Sequence, residues 1–81
     1  MATMQRTEIV TAIAELLEEC AGVNPSDIAE DKRLVDDLDI DSLAMVEIAV
    51  AVDETFKVPV TDETYQAWQT VGDIVNHVVA A

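Results

Sequence analysis

One cysteine among 81 residues cannot form an internal disulfide, and with a single histidine and no second thiol the chain has no zinc-ligand spacing either. Basic residues are also scarce: four Lys or Arg stand against 17 Asp or Glu, a formal net charge of -13. Charge of that sign repels nucleic-acid phosphates and anionic lipid headgroups, and it predicts partners that carry basic patches. No uninterrupted apolar run approaches membrane-spanning length, and Met1 to Glu8 lack a basic segment followed by a long apolar run, so the expectation is a cytoplasmic protein without stable membrane insertion. One Phe, one Tyr and one Trp within a 51% hydrophobic composition give a core of modest size, and the length leaves no room for a second domain.

What the chain does have is helical periodicity. Ile9, Ile13, Leu16, Leu17 and Cys20 recur at spacings of three and four, with Glu8, Thr11, Glu15, Glu18 and Glu19 on the other side, which predicts an amphipathic helix over about 4–20. Gly22 stops it, and Cys20 is expected to be a small buried residue at its end. Asn24-Pro25-Ser26-Asp27 signals a turn, followed by a long connection that Val23, Ile28, Leu34, Leu38 and Ile40 can pin to a core. A second helix is predicted over 42–56, with Asp41 or Ser42 as its cap and Phe56 as the last core residue before Pro59. Thr61 or Asp62 suits the cap of a short helix over about 62–67, a segment that brings in Tyr65 and Trp68. Thr70 and Asp73 read as a capping box for a last helix over 71–79, whose buried stripe is Val71, Ile74, Val75 and Val78. No alternating strand pattern competes. The fold class is all-α: a small antiparallel bundle of three main helices and one short one, with a long loop between the first two.

The second helix carries more apolar residues than one stripe requires. Met45, Ile48, Ala49, Val52 and Phe56 already make a complete core face, which leaves Leu43, Val46 and Val50 on an adjoining one, beside Glu47, Asp53 and Glu54. Spacing alone favours a helix buried over a wide arc. The functional alternative is a docking face, in which apolar residues give contact area and carboxylates orient a basic partner.

A serine at a helix start is ordinarily an N-cap, and Asp-Ser-Leu alone is a weak tripeptide. Its surroundings, Asp-Leu-Asp-Ile-Asp-Ser-Leu-Ala-Met-Val-Glu at residues 37–47, resemble the phosphopantetheine attachment region of acyl carrier proteins. The resemblance extends over nearly the whole chain: a helix, a pinned loop, an acidic helix opened by Asp41-Ser42-Leu43, a short helix, and Thr70-Val71-Gly72-Asp73 before the last one. It is most similar to discrete bacterial type II carriers of actinobacterial kind. The resemblance implies that Ser42 accepts 4'-phosphopantetheine covalently from coenzyme A, through a separate phosphopantetheinyl transferase and its magnesium ion. Acyl groups would ride as thioesters on the thiol of the arm, sheltered between the helices, and the carrier itself would catalyse nothing. It also implies that Asp41, Leu43, Val46, Glu47, Val50, Asp53 and Glu54 are presented to basic surfaces of the transferase, ketosynthase, malonyl transferase and other synthase enzymes, with the carrier a monomer. Fatty acid synthesis is the favoured pathway; discrete polyketide carriers share the Asp-Ser-Leu-Ala opening, and peptidyl carriers usually place glycines where this chain has Asp39-Ile40-Asp41.

Two departures from the family pattern fall on the third helix: Val60-Thr61-Asp62 with Pro59 ahead of it, and Trp68 where a smaller aliphatic residue is common. A calcium-binding loop is the rival from another class, since Asp37, Asp39 and Asp41 occupy its first, third and fifth places. Its sixth place would be Ser42 instead of Gly and its twelfth Ile48 instead of Glu, with Glu47 one place short. A serine hydrolase lacks its Gly-x-Ser-x-Gly elbow, and the lone His77 is expected on the polar side of the last helix, solvated near Asp73.

The charge imbalance generates a prediction of its own. Added salt or millimolar divalent cations should raise the melting temperature by screening carboxylate repulsion; a thermal scan across a salt titration checks this, and an unchanged midpoint would contradict it.

Overall fold

The structure, a computed structural model, describes residues 5–80. Its order is α1 (Arg6–Ala21), a 3-10 turn (Pro25–Asp27), α2 (Ser42–Phe56), α3 (Asp62–Gln66) and α4 (Val71–Ala80). Among the described residues there is no β-strand, only an isolated antiparallel bridge between Arg33 and Thr70. The predicted start of the first helix at Met4 lies outside the described residues.

Each helix begins and ends for a local reason. At the start of α1 the Gln5 N–H donates to Glu8 Oε1 at 2.9 Å. The helix ends where Gly22 adopts a left-handed conformation, φ 69°, and donates to Glu18 O, a geometry that costs a residue without Cβ little. Val23 then turns back to donate to Leu17 O and is buried. Thr61 Oγ1 accepts from Thr64 N–H to cap α3. The capping box of α4 is present in both directions: Thr70 N–H donates to Asp73 Oδ2 and Asp73 N–H donates to Thr70 Oγ1.

α1 packs against both α2 and α4, and α3 against α2. The core is aliphatic with one indole: Ile13, Leu17, Leu34, Ile48, Val52, Val71, Ile74 and Val75 are fully enclosed, and Trp68 joins the same cluster. All five loop residues expected to act as pins do so, Val23, Leu34 and Ile40 buried and Ile28 and Leu38 half-buried. Hydrogen bonds hold the same loop. Gly72 N–H donates to Glu30 O, Val71 N–H to Lys32 O and Leu34 N–H to Gln69 O, at 2.8, 3.0 and 2.9 Å. The contact at Gly72 is close enough that a Cβ there would sit 3.0 Å from the Glu30 carbonyl oxygen. Arg6 adds a side-chain tie, donating to Glu30 and to Asn76 Oδ1 and so linking α1, the loop and α4. Its hydrogen bond holds the Glu30 carboxyl below the usual carboxylate range. A depressed acid stabilises the fold above the unfolded value and loses that contribution as pH falls through its lowered one; at this exposed site the contribution is small and screened by salt.

Four expectations are corrected. Cys20 is half-buried instead of buried, because α1 runs one residue beyond it. Phe56 is likewise half-buried, packed against the core from the last residue of α2. Trp68 lies beyond α3, which is only five residues long, and reaches the core from the connection to α4. His77 is not a freely solvated residue: its Nε2 is 2.9 Å from Pro59 O, in the segment between α2 and α3.

Among the loop's side chains, the inward ones therefore contribute most to stability. Leu34→Ala, at a fully enclosed position, should cost about 2–5 kcal/mol, whereas Val35→Ala next to it should stay within about 0.5 kcal/mol of wild type. Urea unfolding of the two variants checks the contrast.

Candidate functional site

The segment before α2 is built to deliver its first turn in a fixed position. Over residues 33–40 the chain makes one hydrogen-bonded turn: Leu38 N–H donates to Arg33 O, Asp39 N–H to Val35 O and Ile40 N–H to Leu34 O. Asp37 Oδ2 accepts from the Arg33 N–H at 2.8 Å and closes it. The turn ends at Asp39 in the left-handed region, φ 59°, which aspartate tolerates better than most residues. Ile40 follows as a buried anchor, and Asp41 stands at the N-cap.

The capping role falls to Asp41 and not to the serine. Asp41 Oδ1 accepts from the Ala44 N–H at 2.8 Å, and its carbonyl accepts from Met45 N–H at 3.0 Å. Ser42 is the first helical residue and is exposed, and among the described residues its Oγ makes no hydrogen bond. The N–H groups of Ser42 and Leu43 likewise find no acceptor among the described residues, as expected of donors at a helix start. They place the positive end of the helix dipole beside the serine hydroxyl, an arrangement that favours an anion there. Among the described residues no base makes with the hydroxyl the hydrogen bond by which a serine nucleophile is ordinarily activated.

Beyond Ser42 the outer face of α2 is apolar and exposed. Leu43 is 78% exposed, Val46 44% and Val50 52%, so the wide buried arc that spacing favoured is not what forms: Met45, Ile48, Ala49 and Val52 are the buried residues of this helix, with Ala44 and Phe56 packed at their edge. Glu47 and Glu54 are exposed on the same stripe, at offsets of four and eleven from Leu43. Asp53 has a second task, since its half-buried carboxylate accepts from Val60 N–H at 3.1 Å and ties the connection after α2 to the helix. α2 contains no basic residue, so the electrostatics of this face are of one sign.

Val35 belongs to this surface although sequence reasoning did not assign it. It is 62% exposed and lines, with Ser42, Leu43, Met45, Val46 and Trp68, an open groove of about 580 Å³. The available signal was a valine between a pinning leucine and two aspartates, with no inward position left to it. A smaller hollow of about 240 Å³ shares Val46 and Tyr65 with the groove and continues along α2 past Val50 and Asp53. A third depression, of about 290 Å³, separates the Cys20 end of α1 from Asp41, Leu43 and Glu47. Burial, and then the charges of Glu47 and Glu19, push the Cys20 thiol up, which keeps it protonated and a poor nucleophile near neutral pH. A similarly large hollow, about 620 Å³, lies away from the serine between Gly22 and Ile28 and near Lys32.

Two of the three aspartates that suggested a calcium loop are otherwise engaged. Asp37 and Asp41 each aim a carboxylate oxygen at a backbone N–H, and no three acidic, histidine or cysteine side chains among the described residues are grouped to hold a metal ion. No helix among the described residues is long and apolar enough to cross a membrane.

Comparison with known proteins matches residues 11–78 to the family described as a phosphopantetheine attachment site. Among curated relatives, an acyl carrier protein of Acidothermus cellulolyticus is 42% identical over 78 residues, 96% of this chain and 93% of that protein. One from Rhodococcus erythropolis is 48% identical over 71 residues, 88% of this chain and 78% of that protein. The meromycolate extension acyl carrier protein of Mycobacterium leprae is 49% identical over 71 residues, 88% of this chain. The match covers 62% of that relative's length.

The division of labour at the start of α2 yields a stability contrast. Asp41→Ala should cost about 1 kcal/mol by removing the cap, while Ser42→Ala should change stability by less than about 0.5 kcal/mol. Equal losses in denaturant unfolding would return the capping role to the serine.

Proposed function

The chain belongs to the phosphopantetheine-attachment family of acyl carrier proteins, and on that premise we propose that Ser42 is its attachment residue and that it carries acyl intermediates in type II fatty acid synthesis. The observation that carries the reading is the free, exposed Ser42 hydroxyl beside a carboxylate already committed to the cap. A phosphodiester on Ser42 Oγ would replace no hydrogen bond among the described residues and would meet two unpaired amides at the positive end of a 15-residue helix. The residues present therefore suit the group. When bound, 4'-phosphopantetheine supplies a terminal thiol that holds an acyl group as a thioester.

The chain's own part is presentation. Asp41 fixes the first turn, Ile40 and Asp39 fix the approach to it, and Leu43, Val46 and Val50 offer apolar contact area next to the attachment point. Asp41, Glu47, Asp53 and Glu54 give that surface a negative field suited to lysine- and arginine-rich partners: the transferase, the ketosynthase, the malonyl transferase and other synthase enzymes. Charge of this kind speeds encounter and sets orientation without requiring tight binding, as a carrier that must leave each enzyme needs. We read the domain as a carrier and not as a catalyst, with activation of the serine falling to the transferase. We read it as a monomeric single domain working in the cytoplasm. The names of relatives, meromycolate extension among them, favour chain extension of a lipid over a discrete polyketide carrier.

Incubation with coenzyme A, magnesium and a broad-specificity phosphopantetheinyl transferase, followed by intact mass measurement, tests the attachment. Wild type should gain the mass of one phosphopantetheine group and Ser42→Ala none; no gain on wild type, or an equal gain on the variant, would overturn the assignment.

A further inference from the structure

The groove beside Ser42 has a floor, and the floor is held from three sides. The buried residues that line the groove are Ile40, Met45 and Trp68, all members of the core cluster, and the indole of Trp68, 8% exposed, is the largest side chain among them. The Trp68 N–H donates to Tyr65 O at 3.2 Å, and the carbonyl of the next residue, Gln69, accepts from Leu34 N–H at 2.9 Å. The backbone under the indole is thereby fixed to α3 on one side and to the pinned loop on the other. The ring itself meets His77 edge to face, with centroids 5.8 Å apart and planes at 60°, a favoured aromatic arrangement. His77 Nε2 in turn lies 2.9 Å from Pro59 O. A carbonyl only accepts, so Nε2 carries a proton and donates. His77 thus joins α4, the connection between α2 and α3, and the indole in one contact chain.

Under the carrier reading, the groove's occupant is covalently tethered. Ser42 is part of its wall, so an acyl chain on the thiol of an arm attached there is confined near Val35, Met45, Val46 and Tyr65 at high effective concentration, without a separate binding event. Its volume of about 580 Å³ falls within the roughly 300–1,000 Å³ of small-molecule pockets. Each added methylene gains from burial until the chain meets the indole; past that point it must turn back into water.

We propose that Trp68 is the stop of this groove and that His77 is the positioning residue that holds it there, so that the pair sets how long an acyl chain is sheltered beside Ser42. This rests on the carrier reading of Ser42 given above. Trp68 is the only tryptophan, so its fluorescence reports on the groove directly.

The test loads the protein from acetyl-, butyryl-, hexanoyl-, octanoyl- and palmitoyl-coenzyme A with the transferase, confirms each load by intact mass, and measures acrylamide quenching of Trp68. Quenching should fall stepwise with acyl length in wild type and then level off. His77→Ala should move the levelling point to longer chains, and His77→Gln, whose amide still donates to Pro59 O, should hold it near wild type. Trp68→Leu gives an independent reading, since protection of the thioester from hydroxylamine should extend to longer chains than in wild type. Quenching that ignores acyl length in fully loaded protein would overturn the groove assignment, and identical levelling points in wild type and His77→Ala would overturn the role of His77. No mass gain on loading would instead overturn the carrier reading, and this inference with it.

Discussion

The hydrogen bond from Ala44 N–H to Asp41 Oδ1 decides what the serine next to it can do. A helix start needs an acceptor for its unpaired amides, and serine and aspartate are both suited to supply one. Because the carboxylate takes that place, the hydroxyl one residue later has no structural duty and faces solvent. The turn over residues 33–40 and the buried Ile40 bring Asp41 to this position, so the loop before α2 is as much a part of the site as the helix. Hydrogen bonds from that loop to Gln69 and α4 extend the dependence across the molecule.

The outer surface of α2 follows from the same economy. Four buried residues, with Ala44 and Phe56 at their edge, pack this helix against the core, which leaves Leu43, Val46 and Val50 exposed. Glu47 and Glu54 beside them, with no basic residue on α2, give this face a negative field. Among the described residues only two ion pairs, Arg6–Glu30 and Arg33–Asp36, offset that charge within the fold, and neither lies on α2. A surface so little neutralised from within is suited to neutralisation by a visitor.

Much of this was legible in the sequence, and the exceptions have physical causes. Helix periods, the Gly22 stop, the Thr70–Asp73 box and the loop pins all depend on local pattern or on hydrophobic burial, and each is found where the residues place it. The choice between Asp41 and Ser42 as cap was not legible, because either side chain can serve and only the rotamers distinguish them. The exposure of Leu43, Val46 and Val50 ran against spacing, since periodicity records which residues can be buried and not how many a small partner set covers. His77 and Trp68 meet across nine residues of sequence and through a backbone carbonyl of Pro59, a contact that no motif announces. Val35 escaped notice because a loop has no period against which an outward residue stands out.

The central claim is that the aspartate caps so that the adjacent hydroxyl is free to be modified. Fragment-ion localisation on protein loaded with coenzyme A by a phosphopantetheinyl transferase tests it most directly. The account predicts that every fragment containing the added group contains Ser42, and that fragments ending at Asp41 do not. Localisation to Ser26, to Cys20 or to any other nucleophile would contradict it.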